Sequence, residues 1–412
     1  MLPEARPAIV SQQILDDKDC YKRFILFNPT VSGSQSYHRP TPPGLWSRLL
    51  SRIMNNIKEV SDILSEQVPF EDVSLSSIPI KDRNSLVEVP KQQFFIKGNG
   101  ILVYWLTGIF YNYNGLFFIV ESFVGSGEHK NKNGIIIMCS PTTEGRKVFG
   151  QLIDLVEQLI SEWYPGLELD HKIPCHKCIR EGWSPAYEFE VDQLLPPSSD
   201  HTECGFYHKV QLIDLAPDLF LADFDPVFLL DCNKLIYRKE KETLLGTGRF
   251  EEVYCGKYKD QSVAVKLYIE NQLKEAFKEL RSESIILQQL HHPCVVHMVG
   301  VTVYPTMSLV LVEASQGTLQ ASLLKEQRTF SRIVMYRIAI QVASALHYLH
   351  SINIIFRDLK ADNVLLWSLS PDHLLNCKII NFKYLLILTL VDHEVFLVAK
   401  VSLLLKLLMS IV

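Results

Sequence analysis

Nowhere in these 412 residues is there a Gly-x-x-x-x-Gly-Lys-Ser/Thr segment. Without that loop the chain has no P-loop phosphate cradle, and a P-loop GTPase is excluded. No segment before residue 384 supplies the ~20 apolar residues that cross a bilayer. The start, Met1-Leu-Pro-Glu-Ala-Arg-Pro, lacks a basic stretch followed by an apolar one, so no signal peptide is expected. Basic residues are not in excess: 41 Lys and Arg face 46 Asp and Glu, a net charge of −5. That balance leaves no electrostatic footprint for nucleic acid. Cysteines number nine, an odd count, and most stand singly in apolar or helical surroundings. They read as reduced thiols in the cytosol rather than a disulfide framework.

With 47% apolar residues, the chain can build two or three cores. Residues 24–27 form a short apolar run that stops at Asn28-Pro29. Pro42-Pro43 opens a helix whose Leu45, Leu49, Ile53, Ile57, Val60 and Leu64 make one face, widened by Trp46 and Met54. Three Asn-Gly pairs follow, at 99–100, 114–115 and 133–134, beside apolar β-rich runs at 93–96, 101–106, 116–120 and 135–138. Asn-Gly supplies the positive φ of two-residue hairpin turns, so an antiparallel meander of about four strands is expected. A second helix over 144–163 turns Val148, Leu152, Leu155, Val156, Leu159 and Trp163 inward and ends at Pro165-Gly166. Nothing in this half groups catalytic residue types.

Residues 171–237 read as a connector. Cys175-His-Lys-Cys178 and His201-x-x-Cys204 could together hold a tetrahedral zinc ion. His171, His176 and His208 compete as ligands, and free thiols in a connector are the plainer alternative.

From residue 238 the pattern changes. Leu245-Gly-Thr-Gly-Arg-Phe-Glu-Glu-Val253 reads strand, turn, strand, and Gly246 and Gly248 let backbone N–H groups approach a phosphate. Lys266 lies thirteen residues after Val253 in the apolar strand Val263-Ala264-Val265-Lys266; an edge-strand lysine would be the bland reading. A helix from about 272 to 290 carries Glu275, Glu279 and Glu283. The buried strand Leu309-Val-Leu-Val312 leads through Glu313 and Ala314 into Ser315-Gln-Gly-Thr-Leu319. A helix over 332–350 turns Ile338, Val342, Ala345, Leu346 and Leu349 inward. It leads into Phe356-Arg-Asp-Leu-Lys-Ala-Asp-Asn363, where Asp358, Lys360 and Asn363 sit between apolar runs. Buried polar groups must be paired or functional.

These five elements, in this order and spacing, resemble the first half of a eukaryotic protein kinase, with Phe356 in the place of the catalytic-loop His. The resemblance implies that Leu245, Gly246, Gly248, Val253, Ala264 and Leu365 enclose ATP, with Glu251 where the third loop glycine falls. It implies that Lys266 holds the α- and β-phosphates beside a helix carboxylate, which the His292-Pro293 pair selects as Glu283. Glu313 and Ala314 would meet adenine through backbone groups, with Leu311 or Val312 guarding the back of the pocket. Asp358 would orient the substrate hydroxyl and accept its proton, Lys360 would sit at the γ-phosphate, and Asn363 would bind Mg2+. Lys360 is the serine/threonine-kinase choice. More narrowly, the run 354–360, Leu366-Trp-Ser-Leu369, Phe27-Asn-Pro-Thr and Pro-Pro-Gly-Leu-Trp-Ser-Arg resemble the leucine-rich-repeat kinases of the Roco family, in which a COR domain precedes the kinase. The implied fold is α+β. A COR-like domain (1–170) and the connector precede a kinase N-lobe with the start of a helical C-lobe (238–383), and a hydrophobic non-kinase tail (384–412) follows. The implied cofactors are ATP and Mg2+. The implied partners are a protein substrate and a second COR domain, as homodimer or heterodimer.

The family pattern breaks after the catalytic loop. Eighteen residues beyond Asn363, where the family carries the Mg2+-gripping Asp of Asp-Phe-Gly, stands Asn381 in Asn-Phe-Lys. An amide oxygen can touch Mg2+ but brings no charge. No Ala-Pro-Glu follows, so the kinase is expected to stop short of a full C-lobe, to transfer phosphate weakly or not at all, and to leave the apolar face of the 332–350 helix uncovered. The Leu-, Ile- and Val-rich tail, split by Asp392-His-Glu394, Lys400 and Lys406, could anchor in a membrane or cover that helix. The favoured reading is non-homologous sequence from an altered transcript. The rival function is a COR-mediated dimerisation and regulatory module with a nucleotide-binding but non-catalytic kinase remnant.

Overall fold

The computed structural model describes residues 20–29, 42, 44–57, 93–97, 100–124, 133–195, 199–248, 251–268, 273–314, 316–325, 330–352, 354–370, 372–382 and 385–387. They belong to two compact units, the first running to Asp223 and the second beginning at Phe224. Helices and sheets mix in both, an α+β architecture. No helix among the described residues is long and apolar enough to cross a membrane. Val60, Leu64, Asn99 and the tail from residue 388 lie outside the described residues.

The first unit is an antiparallel sheet of eight strands in the order β2-β3-β4-β5-β6-β1-β7-β8. The strands are β1 (Tyr21–Pro29), β2 (Gln93–Lys97), β3 (Gly100–Trp105), β4 (Gly108–Tyr113), β5 (Leu116–Val124), β6 (Asn133–Cys139), β7 (Leu167–Pro174) and β8 (Glu188–Glu190). Two helices, α1 (Leu45–Asn56) and α2 (Thr143–Trp163), cover one face. Leu45, Leu49, Ile53, Val148, Leu152 and Val156 pack there on Ile25, Leu102, Phe118 and Ile137. The other face has its own apolar cluster around Val103, Trp105, Phe110, Ile119 and Ile136. Burial on both faces explains why these strands read as unbroken apolar runs instead of alternating ones. Trp163 is 53% exposed, contrary to the inward placement its spacing suggested. The Arg48 guanidinium lies 4.2 Å from its ring, so the last turn of α2 is anchored by a cation–π contact with α1 rather than by core burial.

The meander has five strands. Asn114 (φ 49°) and Gly115 (φ 82°) form the two-residue turn between β4 and β5. Asn133-Gly134 is no turn: Gly134 lies inside β6 opposite Leu26. A Cβ there would stand 2.2 Å from the Ile25 carbonyl oxygen. Close approach of β1, not a reversal, requires that glycine. Gly134→Ala should therefore cost about 1–3 kcal/mol of first-unit stability in urea unfolding, and an unchanged midpoint would contradict this.

Residues 171–195 and 199–223 are grouped with the first unit. β7 pairs with β1 over six residues. The buried Arg23 of β1 binds Asp218 at 2.6 Å, which draws the turn Pro217–Phe220 onto the sheet.

The second unit opens with a sheet in the order β11-β13-β14-β16-β15, with β12 also on β13. These are β11 (Leu235–Tyr237), β12 (Leu244–Thr247), β13 (Glu251–Tyr258), β14 (Gln261–Tyr268), β15 (Met298–Thr302) and β16 (Ser308–Val312). Helix α4 (Leu273–Leu287) packs on β14, β15 and β16. Beyond them, α5 (Arg332–Ser351) carries the short strands β17 (Ile354–Phe356), β18 (Val364–Leu366) and β19 (Cys377–Ile379). Ile338, Val342, Ala345, Leu346 and Leu349 of α5 are buried, so this face is covered, contrary to expectation. β17 and β19 pack on it, and Gln341 accepts from the backbone N–H groups of Asn376 and Cys377, each at 2.9 Å. The exposed apolar positions are instead Ile333, Tyr336 and Ile340. A final strand, β20 (Leu385–Ile387), pairs antiparallel with β17, inside the stretch read as a non-kinase tail.

Candidate active site

Strand register builds the first wall. In β14, Ala264 and Lys266 are two residues apart and so share a face. Across the ladders they oppose Cys255 and Val253 on β13 and Leu311 and Leu309 on β16. Leu311 therefore belongs to the Lys266 face and Val312 to the other. On β12, Leu244 packs into the opposite cluster with Val263 and Val265, while Leu245 is 53% exposed. A Cβ on Gly246 would meet nothing within 4 Å.

Lys266 is buried, and its Nζ lies 2.5 Å from Glu283 Oε2. Glu283 sits on the inner face of α4 and also accepts from the Tyr268 hydroxyl at 3.3 Å. Burial and the neighbouring Glu283 and Glu251 carboxylates push the Tyr268 phenol well above its ordinary range. Glu275, two turns earlier on the same helix, is exposed.

Glu251 adds a contact that sequence spacing did not reveal. Its Oε2 is 3.0 Å from Lys266 Nζ. Its backbone carbonyl accepts from Gly248 N–H at 2.8 Å, and a Cβ on Gly248 would collide with its side chain. The glycine turn and the lysine are thus linked by a carboxylate where an incoming phosphate would need to lie.

The second wall follows α5. Asn363 is buried and its amide Nδ2 donates to Asp358 twice, to the backbone oxygen at 2.7 Å and to Oδ2 at 2.9 Å. Lys360 Nζ is 2.8 Å from the same Oδ2. Spending Nδ2 on Asp358 turns Asn363 Oδ1 outward, where Asn381 Nδ2 donates to it at 3.4 Å. Asn381 has φ 72°, a conformation asparagine tolerates better than most residues. Its own Oδ1 is buried without a hydrogen-bond partner. Phe382 is fully buried and meets Phe356 edge-on at 5.5 Å. Phe356, in the place of the family's catalytic-loop histidine, is thereby packed against the segment that follows the loop.

The segment between the walls is tied by backbone bonds. Gln316 N–H donates to the Leu366 carbonyl at 3.2 Å, and Leu366 N–H to the Gly317 carbonyl at 2.8 Å. They hold Leu365, half-buried on β18, beside the Glu313-Ala314 hinge. Burial pushes the Glu313 carboxyl above its ordinary range. His292 stacks on Tyr348 of α5 at 5.2 Å and bonds Ser344 at 3.1 Å, so the His-Pro turn is fastened to that helix.

A buried lysine–glutamate pair beside a glycine turn, followed in the same unit by an Asp–Asn–Asn cluster, has the make-up of a protein-kinase site. Residues 240–384 match the family model of protein tyrosine and serine/threonine kinases, and residues 31–216 match the COR-B domain, the C-terminal of Roc. With a COR-B domain preceding a protein-kinase domain, the chain belongs to the Roco kinase family. It is 26% identical to mouse (Mus musculus) leucine-rich repeat serine/threonine-protein kinase 1 over 92% of its own length and 21% of that protein's. It is 29% identical to the probable serine/threonine-protein kinase pats1 of Dictyostelium discoideum, covering 51% of this chain and 7% of that one. The probable serine/threonine-protein kinase roco7 of the same organism is 27% identical over 56% of this chain and 9% of its own. The chain thus spans about a fifth or less of these relatives.

Proposed function

We propose that this chain binds Mg-ATP between the β12–β13 glycine turn and the Asp358–Asn363 loop, and that its family reaction is transfer of the γ-phosphate to protein serine or threonine. The observation that carries the reading is the buried Lys266–Glu283 pair on the face shared with Val253, Ala264 and Leu311. Lys266 supplies a fixed cation for the α- and β-phosphates, and Glu283 fixes its position. Leu245, Val253, Ala264 and Leu365 enclose the adenine, with Leu311 at the back. The backbone of Glu313 and Ala314 meets its polar edge, and Gly246 and Gly248 admit the phosphates. Asp358 orients the attacking hydroxyl and takes its proton, while Lys360 faces the γ-phosphate.

Asn363 and Asn381 would hold Mg2+, which when bound neutralises phosphate charge. The unpartnered Asn381 Oδ1 and the outward Asn363 Oδ1 fit a cation. Both are neutral, so the ion is held weakly and transfer is slow. In this reading the COR-B unit pairs with a second COR domain in the cytoplasm. The kinase part follows it from 238. The second reading, a regulatory module that binds nucleotide without chemistry, is favoured by the loss of the carboxylate at 381 alone.

The test is labelled phosphate transfer from Mg-ATP to a serine/threonine peptide. Slow transfer abolished by Asp358→Ala supports the kinase reading. Transfer indifferent to that substitution would refute the role of Asp358, and nucleotide binding with no transfer would select the regulatory module.

Glu251 offers a separate check. Its carboxylate competes with phosphate for Lys266, so Glu251→Gln should tighten Mg-ATP binding about fivefold, on the order of 1 kcal/mol. Weaker binding in calorimetry would contradict that competition.

A further inference from the structure

Among the described residues, one cluster of metal-type ligands lies apart from the ATP site, in the first unit. After β7, Cys175 caps the short helix α3 (His176–Arg180; α3 denotes this segment), donating its N–H to the Tyr187 carbonyl at 2.7 Å and accepting from Ile179 N–H at 3.1 Å. That turn brings Cys178 back beside Cys175. A hairpin of β9 (His201–Glu203) and β10 (Lys209–Gln211) presents Cys204 and His208 at its tip. Cys204 N–H donates to the His208 carbonyl at 3.1 Å, and Phe206 N–H to Cys204 Sγ at 3.4 Å.

The ligand atoms of Cys175, Cys178, Cys204 and His208 all lie within 4.8 Å of one another. Cys178 Sγ is 3.8 Å from Cys204 Sγ and 3.3 Å from His208 Nδ1. Tetrahedral zinc, with bonds of about 2.3 Å to sulfur and about 2.0–2.1 Å to nitrogen, sets neighbouring ligand atoms roughly 3.5–3.8 Å apart. The cysteines are free, and 3.8 Å is far outside disulfide bonding. His208 Nε2 lies 3.0 Å from Glu181 Oε2, which turns Nδ1 toward the sulfurs, as an outer carboxylate does for a metal-bound histidine. All three cysteines are buried and Trp183 stacks on Phe206 at 4.7 Å beside His208, so the cluster is closed.

We propose that Cys175, Cys178, Cys204 and His208 bind one Zn2+ as a closed structural site that clamps α3 to the β9–β10 hairpin. Three thiols lose their protons to solvent as three zinc–sulfur bonds form. Four protein ligands leave no open position, so the ion is structural rather than catalytic. It ties the segment that follows β7 to the β9–β10 hairpin. His201, the histidine the sequence suggested, is excluded by geometry. It sits three residues back along an extended strand, about 10 Å from the tip, and its Nδ1 pairs with Asp200 at 2.7 Å.

The test uses the full chain, purified under reducing conditions without chelator. Elemental analysis should find about one zinc per chain. After removal of metal with a mercurial reagent and EDTA, added Co2+ should give a thiolate-to-cobalt charge-transfer band and the intense visible bands of tetrahedral cobalt. Cys178→Ser and His208→Ala should lower zinc content at least tenfold or alter the cobalt spectrum, and His201→Ala should do neither. Because Cys178→Ser can unfold the unit, circular dichroism accompanies each variant and the wild-type cobalt spectrum stands independently. A folded wild-type chain that takes up neither zinc nor cobalt, or that contains a Cys178–Cys204 disulfide, overturns the proposal. So does zinc lost on His201→Ala and retained on His208→Ala.

Discussion

Asn381→Asp should raise phosphate transfer by at least about 100-fold, the scale of one well-placed electrostatic stabiliser. Asn381 Oδ1 is already buried and unpartnered beside Asn363. Aspartate is nearly isosteric and tolerates the same left-handed backbone, so the fold is not disturbed. The substitution trades a 3.4 Å donor for a second oxygen and a negative charge. Two carboxylate oxygens facing the Asn363 oxygen repel it unless a cation lies between, so Mg2+ affinity rises with the rate. The measurement is labelled phosphate transfer at several Mg2+ concentrations, with Asn381→Asp/Asp358→Ala as background. An Asn381→Asp chain that is folded, binds Mg-ATP and transfers no faster would show that the missing carboxylate is not what limits the site.

Lys266→Met should abolish nucleotide binding and destabilise the second unit by about 3–5 kcal/mol. Lys266 is the cation between Glu251 and Glu283, and both carboxylate side chains are mostly buried. Without it the two charges face each other in a poorly solvated site. Replacing both members of the main pair, as Lys266→Met/Glu283→Leu, should recover most of the lost stability but no binding, because an ion pair exchanged for packed apolar groups costs little. Urea unfolding of the single and double variants checks the first part. If the single variant unfolds at the wild-type midpoint, the pair is not the buried contact described.

Local rules made much of the architecture legible. The four-residue spacing of Leu45, Leu49 and Ile53 and the inward residues of α5 are periodicities that core burial enforces. The Asn114-Gly115 turn follows from positive φ. What escaped the sequence depends on neighbours distant along the chain. Asn133-Gly134 has the composition of a turn, yet β1, more than a hundred residues earlier, passes so close that only glycine fits. The Gly108–Tyr113 strand was hidden because Leu106-Thr107 turns the chain without Gly, Pro or Asn. At the site, motif spacing picked out Lys266, Glu283, Asp358 and Asn363 as candidates. It could not show that Glu251 reaches Lys266, because that depends on the fold of the glycine turn. In the cysteine cluster, counting residues put His201 first and left His208 among its competitors, and the hairpin brings His208 to the tip.

Binding of Mg-ATP on the Lys266 face is read by thermal or urea unfolding of the second unit with and without Mg-ATP. Binding to the folded state alone should stabilise that unit by about 2.7 kcal/mol at a hundredfold excess over Kd. Glu251→Gln should reach the same gain at lower nucleotide concentration. A folded wild-type chain whose second unit unfolds at the same point with saturating Mg-ATP as without it would show that nucleotide does not bind there.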